Sequence, residues 1–149
     1  MGYCHVAHDC SIGDHVIMAN GAALAGHVHV EDHAILGGLV GIHQFVRIGA
    51  HAMIGAGSMV GKDVVPFVHA AGNRDTKLHG INHVGLRRRG FDEDRIRALK
   101  RAYRVLFRGE GRLSQAKDEV RGDPALAASP DVAQLLAFLD GESDRGFVM

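Results

Sequence analysis

The chain has 149 residues, enough for one good-sized domain or two small ones. Lys+Arg and Asp+Glu number 17 each, so the formal net charge is zero, which excludes a globally basic nucleic-acid binder or membrane-surface protein. There is no basic-then-apolar leader and no apolar run long enough to span a bilayer, and with only two cysteines the chain reads as cytoplasmic, in a reducing compartment.

The charge is unevenly spread. Residues 1–65 carry only Arg47 and Lys62 as fixed cations, whereas Arg87–Arg112 carries ten. Two regions with different roles are expected.

Residues 1–66 repeat every six positions. Val6, Ile12, Met18, Leu24, Val30, Leu36, Ile42, Ile48, Ile54 and Val60 form one unbroken aliphatic column. Two positions earlier sit Cys4, Cys10, Val16, Ala22, Val28, Ala34, Val40, Val46, Ala52 and Ser58, all small or apolar. This is the hexapeptide repeat of a parallel β-helix, with three hexapeptides to a triangular coil. Glycine often follows the aliphatic residue, at Gly13, Gly37, Gly49, Gly55 and Gly61, and is expected to ease the corners.

The stretch GYCHVAHDCSIGDH (residues 2–15) gathers cysteine, histidine and aspartate as a metal site would. However, Cys4 and Cys10 belong to the inward column and are expected to be buried packing residues. The histidines belong to outward columns. A Cys/His zinc site would need ligands on both sides of the wall and is rejected.

Coils stack at about 4.8 Å, so residues eighteen apart lie above one another. His8, Gly26 and Gln44 therefore form one vertical line, with His27 and His43 one step away and His5 three residues before His8. Histidine is the common general base near neutral pH. Asp9 is placed to fix the His8 tautomer, and the Gly26 N–H can approach a substrate closely enough to stabilise an oxyanion. No serine or cysteine nucleophile stands on this patch, which favours direct attack by a substrate hydroxyl over a covalent intermediate.

Gly61–Val65 closes the repeat and Pro66 ends it. Residues 67–90 lack a period and read as a connecting loop with functional contacts. From 91 to 149 the period changes to that of a small α-helical domain. Ile96, Leu99, Tyr103 and Leu106 mark an amphipathic helix with Asp92 as its N-cap. Its opposite stripe is Arg97, Arg101, Arg104 and Arg108. Shorter helices are expected near Leu113–Val120 and Pro130–Leu139, the latter capped by Ser129 with Pro130 in its first turn.

Six segments in order, "HVAHDC", "LAGHV", "GIHQF", "GNRDT", "GLRRRGF" and "DRGFVM", strongly resemble the UDP-N-acetylglucosamine O-acyltransferases of lipid A biosynthesis across essentially the whole chain. The resemblance implies a left-handed parallel β-helix followed by a small α-helical C-terminal domain. It implies an acyltransferase that moves a 3-hydroxyacyl group from acyl carrier protein to the glucosamine 3-hydroxyl of UDP-N-acetylglucosamine, working without metal or cofactor as a homotrimer with active sites between subunits. By the same resemblance His8 is the general base, Asp9 orients it and Gly26 holds the oxyanion. His5, His27, His43 and Gln44 position the nucleotide sugar, and Asn82, Arg88 and Arg89 contact the nucleotide and its phosphates. Ala56, where some members with longer acyl chains have glycine, is implicated in acyl length. The arginine stripe is either a solvated helix face or a docking surface for acidic acyl carrier protein, the latter weakening with salt.

Two departures accompany the resemblance. Some members carry glutamate where this chain has Val84. Members also have further β-helix coils ahead of the position of Met1, so an N-terminally incomplete helix is expected, with Met1 either a fragment boundary or an internal methionine. The 149 residues alone are expected to be poorly soluble and weakly active. Three other readings share the scaffold: a metal enzyme of the γ-carbonic anhydrase type, a truncated relative that only trimerises, and an N-acyltransferase of the same pathway, whose motifs are less like "HVAHDC" and "GLRRRGF".

Overall fold

A computed structural model describes residues 1–149. The first sixty residues form ten two-residue strands: β1 (His5–Val6), β2 (Ser11–Ile12), β3 (Ile17–Met18), β4 (Ala23–Leu24), β5 (His29–Val30), β6 (Ile35–Leu36), β7 (Gly41–Ile42), β8 (Arg47–Ile48), β9 (Met53–Ile54) and β10 (Met59–Val60). Every third strand pairs in parallel, with residues eighteen apart as partners, such as His5 with Ala23 and Ala23 with Gly41. Three flat walls result: β1-β4-β7-β10, β2-β5-β8, and a third containing β3-β6-β9.

The axis is filled as the repeat requires. Leu24, Val30, Leu36, Ile42, Ile48, Ile54 and Val60 are all buried, and so are Ala22, Val28, Ala34, Val40, Val46, Ala52 and Ser58 from the small column. A solenoid coil is covered only by its neighbours. Val6 and Ile12, on the first coil of these residues, are accordingly 45% and 40% exposed despite occupying the same column. Cys4 and Cys10 take their inward positions but are half-buried rather than buried, for the same reason. Their thiols donate to the Ala19 and Ala25 carbonyls at 3.0 and 3.1 Å.

Burial along one column sets the cost of truncation. In these 149 residues, Leu36→Ala should destabilise by about 2–5 kcal/mol, as core truncations do. Val6→Ala should cost under about 1 kcal/mol. Urea unfolding midpoints of the two variants check the contrast.

The corners are not turned by the repeat's glycines, contrary to the sequence expectation. The left-handed backbone falls instead on Asp9, His15, His27, His33, Leu39, Phe45 and His51, each with φ between 58° and 66°. Aspartate and histidine are among the side chains that tolerate that region best. The glycines serve close packing between coils. A Cβ on Gly37 would lie 2.6 Å from the Ala56 amide nitrogen, and one on Gly49 2.3 Å from that of Pro66.

Pro66 does not end the solenoid, and residues 67–90 are not a loop. β11 (Val68–Ala71) adds to β9 in parallel, and β12 (Lys77–Ile81) returns antiparallel along β11. A short helix, α1 (His83–Arg88), follows. The molecule divides into two compact units, 1–82 with 142–149, and 83–141. The C-terminal residues thus belong to the solenoid unit. Val148 N–H donates to the Asp63 carbonyl, and Asp63 N–H to the Gly146 carbonyl, both at 2.8 Å.

The second unit is helical, with α1, α2 (Glu93–Arg108), α3 (Leu113–Gly122), α4 (Pro124–Ala127) and α5 (Pro130–Asp140). Asp92 accepts from Arg95 N–H and Ser129 from Val132 N–H, so both anticipated caps form. Ile96, Leu99, Ala102, Tyr103 and Leu106 of α2 are buried, as are Val132, Leu135 and Leu136 of α5. A two-bonded Arg95–Asp131 pair, 2.9 Å at each contact, crosses between these helices.

Candidate functional site

One corner of the solenoid, between the β1-β4-β7-β10 and β2-β5-β8 walls, carries most of the residues the sequence singled out. Backbone bonds lock its layers: His27 N–H donates to the His8 carbonyl at 3.0 Å and Phe45 N–H to the Gly26 carbonyl at 3.2 Å. The layers are His8–Asp9, Gly26–His27 and Gln44–Phe45, as the eighteen-residue register demanded.

His8 is exposed, and its Nδ1 lies 3.0 Å from Asp9 Oδ2. A carboxylate accepts, so Nδ1 holds the ring proton and Nε2 is left as the basic nitrogen. That nitrogen stands directly over Gly26: a Cβ built there would fall 2.8 Å from His8 Nε2, 2.7 Å from its Cε1 and 3.3 Å from Gln44 Nε2. A larger residue would push the imidazole aside. The His8 hydrogen bond and, after it, the His27 charge hold the Asp9 carboxyl below the usual carboxylate range, against the opposing effect of desolvation. Asp9 is therefore ionised throughout the neutral range. His27 meets His8 edge-on at 5.2 Å between ring centroids and stacks on Phe45 at 4.8 Å. Phe45, which no sequence signal singles out, is a left-handed corner residue whose stacked ring orients His27.

His8, Asp9 and His27 also offer ligand atoms within 4.8 Å of one another, the set that could hold a metal ion. All three are exposed.

His5 and His43 lie on the adjoining wall, where they line an open, largely apolar groove of about 400 Å³ with Ala23, Ala25, Gly41 and Met59. Met59 lies across it, its Cε 2.8 Å from where a Gly41 Cβ would stand. Ala56 is exposed but does not line the groove. It packs beside Gly37, at the corner between the third wall and the first, away from His8.

The remaining residues are placed differently. Asn82 is 8% exposed, and its amide donates to the His51 carbonyl at 3.0 Å, so part of its work is to hold a corner of the solenoid. Arg88, exposed, ends α1 in the helical unit, and Arg89 follows it, with burial lowering its pKa. Val84 is exposed on the same helix. Of the arginine stripe, Arg97 pairs with Asp94 at 2.9 Å and Arg101 with Asp123 at 2.5 Å, and Arg108 lies over the Tyr103 ring. Part of that positive face is thus neutralised within the unit.

A residue without a sequence signal also reaches this region. The Arg145 guanidinium Nη2 contacts His43 Nδ1, 102 residues away in the chain.

Residues 63–148 match the family model described as UDP N-acetylglucosamine O-acyltransferase, domain 2. A curated relative, the acyl-[acyl-carrier-protein]–UDP-N-acetylglucosamine O-acyltransferase of Alkalilimnicola ehrlichii, is 51% identical over 148 residues, 99% of this chain and 56% of its own. The solved UDP-N-acetylglucosamine acyltransferase of Arabidopsis superposes with a TM-score of 0.94 at 40% identity, over 100% of this chain and 54% of that one. That of Francisella novicida gives 0.90 at 39% identity, over 99% and 53%. The chain spans about half the length of the relatives it matches, and the β-helix is of the left-handed kind. No helix is long and apolar enough to cross a membrane. A matching domain over more than half the chain and near-superposable folds together lead to one assignment: the chain belongs to the UDP-N-acetylglucosamine O-acyltransferase family.

Proposed function

We propose that the protein transfers a 3-hydroxyacyl group from the thioester of acyl carrier protein to the glucosamine 3-hydroxyl of UDP-N-acetylglucosamine, the reaction that opens lipid A biosynthesis. The observation that carries this reading is the stacking of His8 Nε2 over Gly26 with Nδ1 committed to Asp9. As the sugar oxygen attacks the thioester carbonyl, its proton passes to His8 Nε2. The carbonyl oxygen gains negative charge and is met by the Gly26 N–H. Collapse of the tetrahedral intermediate expels the carrier's thiolate, which takes the proton back from His8. Asp9, held ionised, stabilises the imidazolium between the two transfers.

In the same proposal His5, His27, His43 and Gln44 position the nucleotide sugar, while Asn82, Arg88 and Arg89 act on the nucleotide and its phosphates. Acyl carrier protein docks on the Arg97–Arg101–Arg104–Arg108 face. The working form is a homotrimer in the cytoplasm. The apolar groove beside His5 and His43 suits an acyl chain.

Met59 crosses that groove and Ala56 does not line it. Met59→Ala should therefore shift the preferred donor toward longer chains by more than Ala56→Gly does. A donor series of 3-hydroxyacyl carrier proteins of graded length checks the order, and a larger shift for Ala56→Gly would reverse it.

The transfer itself is tested by mass spectrometry of UDP-N-acetylglucosamine after incubation with 3-hydroxyacyl carrier protein. The protein is assayed alone and joined to the remaining length of a relative. Gain of one 3-hydroxyacyl group on the sugar with either form supports the proposal. A folded protein that transfers in neither form overturns it.

A further inference from the structure

We propose that Arg145 is a positioning residue for His43: it selects the imidazole tautomer whose Nε2 carries the proton, so that His43 presents a hydrogen-bond donor to an oxygen of the nucleotide sugar. This rests on the reading that His43 touches that substrate.

A guanidinium has only donors, so the nitrogen it meets must accept. Arg145 Nη2 meets His43 Nδ1, which puts the proton on Nε2. The competing contact, from Nδ1 to the Gln44 carbonyl, spans 3.4 Å, beyond the usual range for such a bond, and would demand the opposite tautomer. At that length the Gln44 carbonyl does not compete, and the donor-only guanidinium sets the acceptor role of Nδ1. His43 is exposed and lines the groove shared with His5.

Arg145 is held in place from both sides. Beyond it, Gly146 and Val148 bond to the two backbone groups of Asp63, a residue 0% exposed that also grips Arg47 at 3.0 Å. Before it, the Ser143 hydroxyl accepts from Gly146 N–H at 3.0 Å, closing a tight loop around the arginine. Meanwhile Arg145 Nε is buried with no partner. An unpaired buried donor costs stability, so the arrangement is not explained as a device for holding the fold together. It makes sense as the means by which the C-terminal segment, otherwise remote in sequence, reaches a substrate-facing histidine.

Two measurements test this, one independent of activity. In protein labelled with ¹⁵N-histidine, long-range ¹H–¹⁵N spectra should show His43 as the Nε2–H tautomer, and Arg145→Gln should convert it to a mixture. A wild-type His43 protonated on Nδ1 overturns the proposal whether or not the protein proves to be an acyltransferase. In kinetics, Arg145→Ala should raise KM for UDP-N-acetylglucosamine about tenfold with kcat changed by less than about threefold. Arg145→Lys, which keeps a cationic donor, should recover part of the loss. In a His43→Ala background, Arg145→Ala should change nothing further, because its effect runs through the missing ring. Fully additive losses, or an Arg145→Lys protein that folds normally yet is no better than Arg145→Gln, contradict the assignment. If Arg145→Ala fails to fold, the Gln and Lys variants carry the same comparison.

Discussion

Replacing His8 with alanine should slow acyl transfer by about two to four orders of magnitude, the usual scale for loss of a general base. The sugar hydroxyl is a poor nucleophile until its proton has somewhere to go. In the proposed reaction His8 Nε2 takes that proton, because Nδ1 is tied to Asp9 at 3.0 Å. The loss should fall on kcat and KM for UDP-N-acetylglucosamine should move little, because the same proposal has several other groups hold the nucleotide sugar. His8 is an exposed corner side chain outside the solenoid axis, so the fold should survive its removal. Steady-state kinetics of His8→Ala beside the wild type check this. A variant that retains near-normal kcat would remove His8 from the chemistry.

Gly26→Ala should cost about a hundredfold in kcat, the scale on which displacement of a catalytic group by an ångström acts. The added methyl would meet His8 Cε1 at 2.7 Å and Nε2 at 2.8 Å, closer than real carbon contacts come. Something must shift, and the exposed imidazole is freer to move than the backbone below it. Gly26 is not in a left-handed conformation, so alanine is tolerated by the chain itself. Melting temperature should therefore change little while turnover collapses. The substitution leaves every titrating group in place, which separates geometry from chemistry. A Gly26→Ala protein with unchanged kcat would show that His8 need not sit where it does.

The solenoid was legible because its rule is local and repeated. An aliphatic residue every sixth position identifies the axis, and from Leu24 onward burial follows that column. The His8–Gly26–Gln44 line was legible for the same reason: an eighteen-residue register fixes who lies above whom. The repeat's glycines serve a purpose that spacing does not show. Glycine after an aliphatic residue suggests a turn, but Gly37 and Gly49 are small because the next coil presses against them, and spacing along one chain does not reveal that pressure. Residues 67–90 gave no period because β11 and β12 are ordered by pairing with β9 and with each other, not by an internal repeat. Asn82 was readable as a polar residue in a recognisable motif, whereas its bond to the His51 carbonyl depends on a partner 31 residues away. The Arg145–His43 contact was the least accessible: it depends on the chain returning from the helical unit to Asp63, which no composition or periodicity encodes.

In the proposed reaction the acyl group passes straight to the sugar at the His8–Gly26 corner, with no covalent stop on the protein. Cys4 and Cys10 take inward positions, their thiols donating to the Ala19 and Ala25 carbonyls, so neither stands on the outward His8–Gly26 face as a nucleophile. Intact-protein mass spectrometry during a single turnover, quenched at successive times with acyl carrier protein donor in excess, addresses this directly. Direct attack predicts an unmodified protein mass at every time point while acylated UDP-N-acetylglucosamine accumulates. An acylated protein that forms and decays as fast as product appears would contradict it.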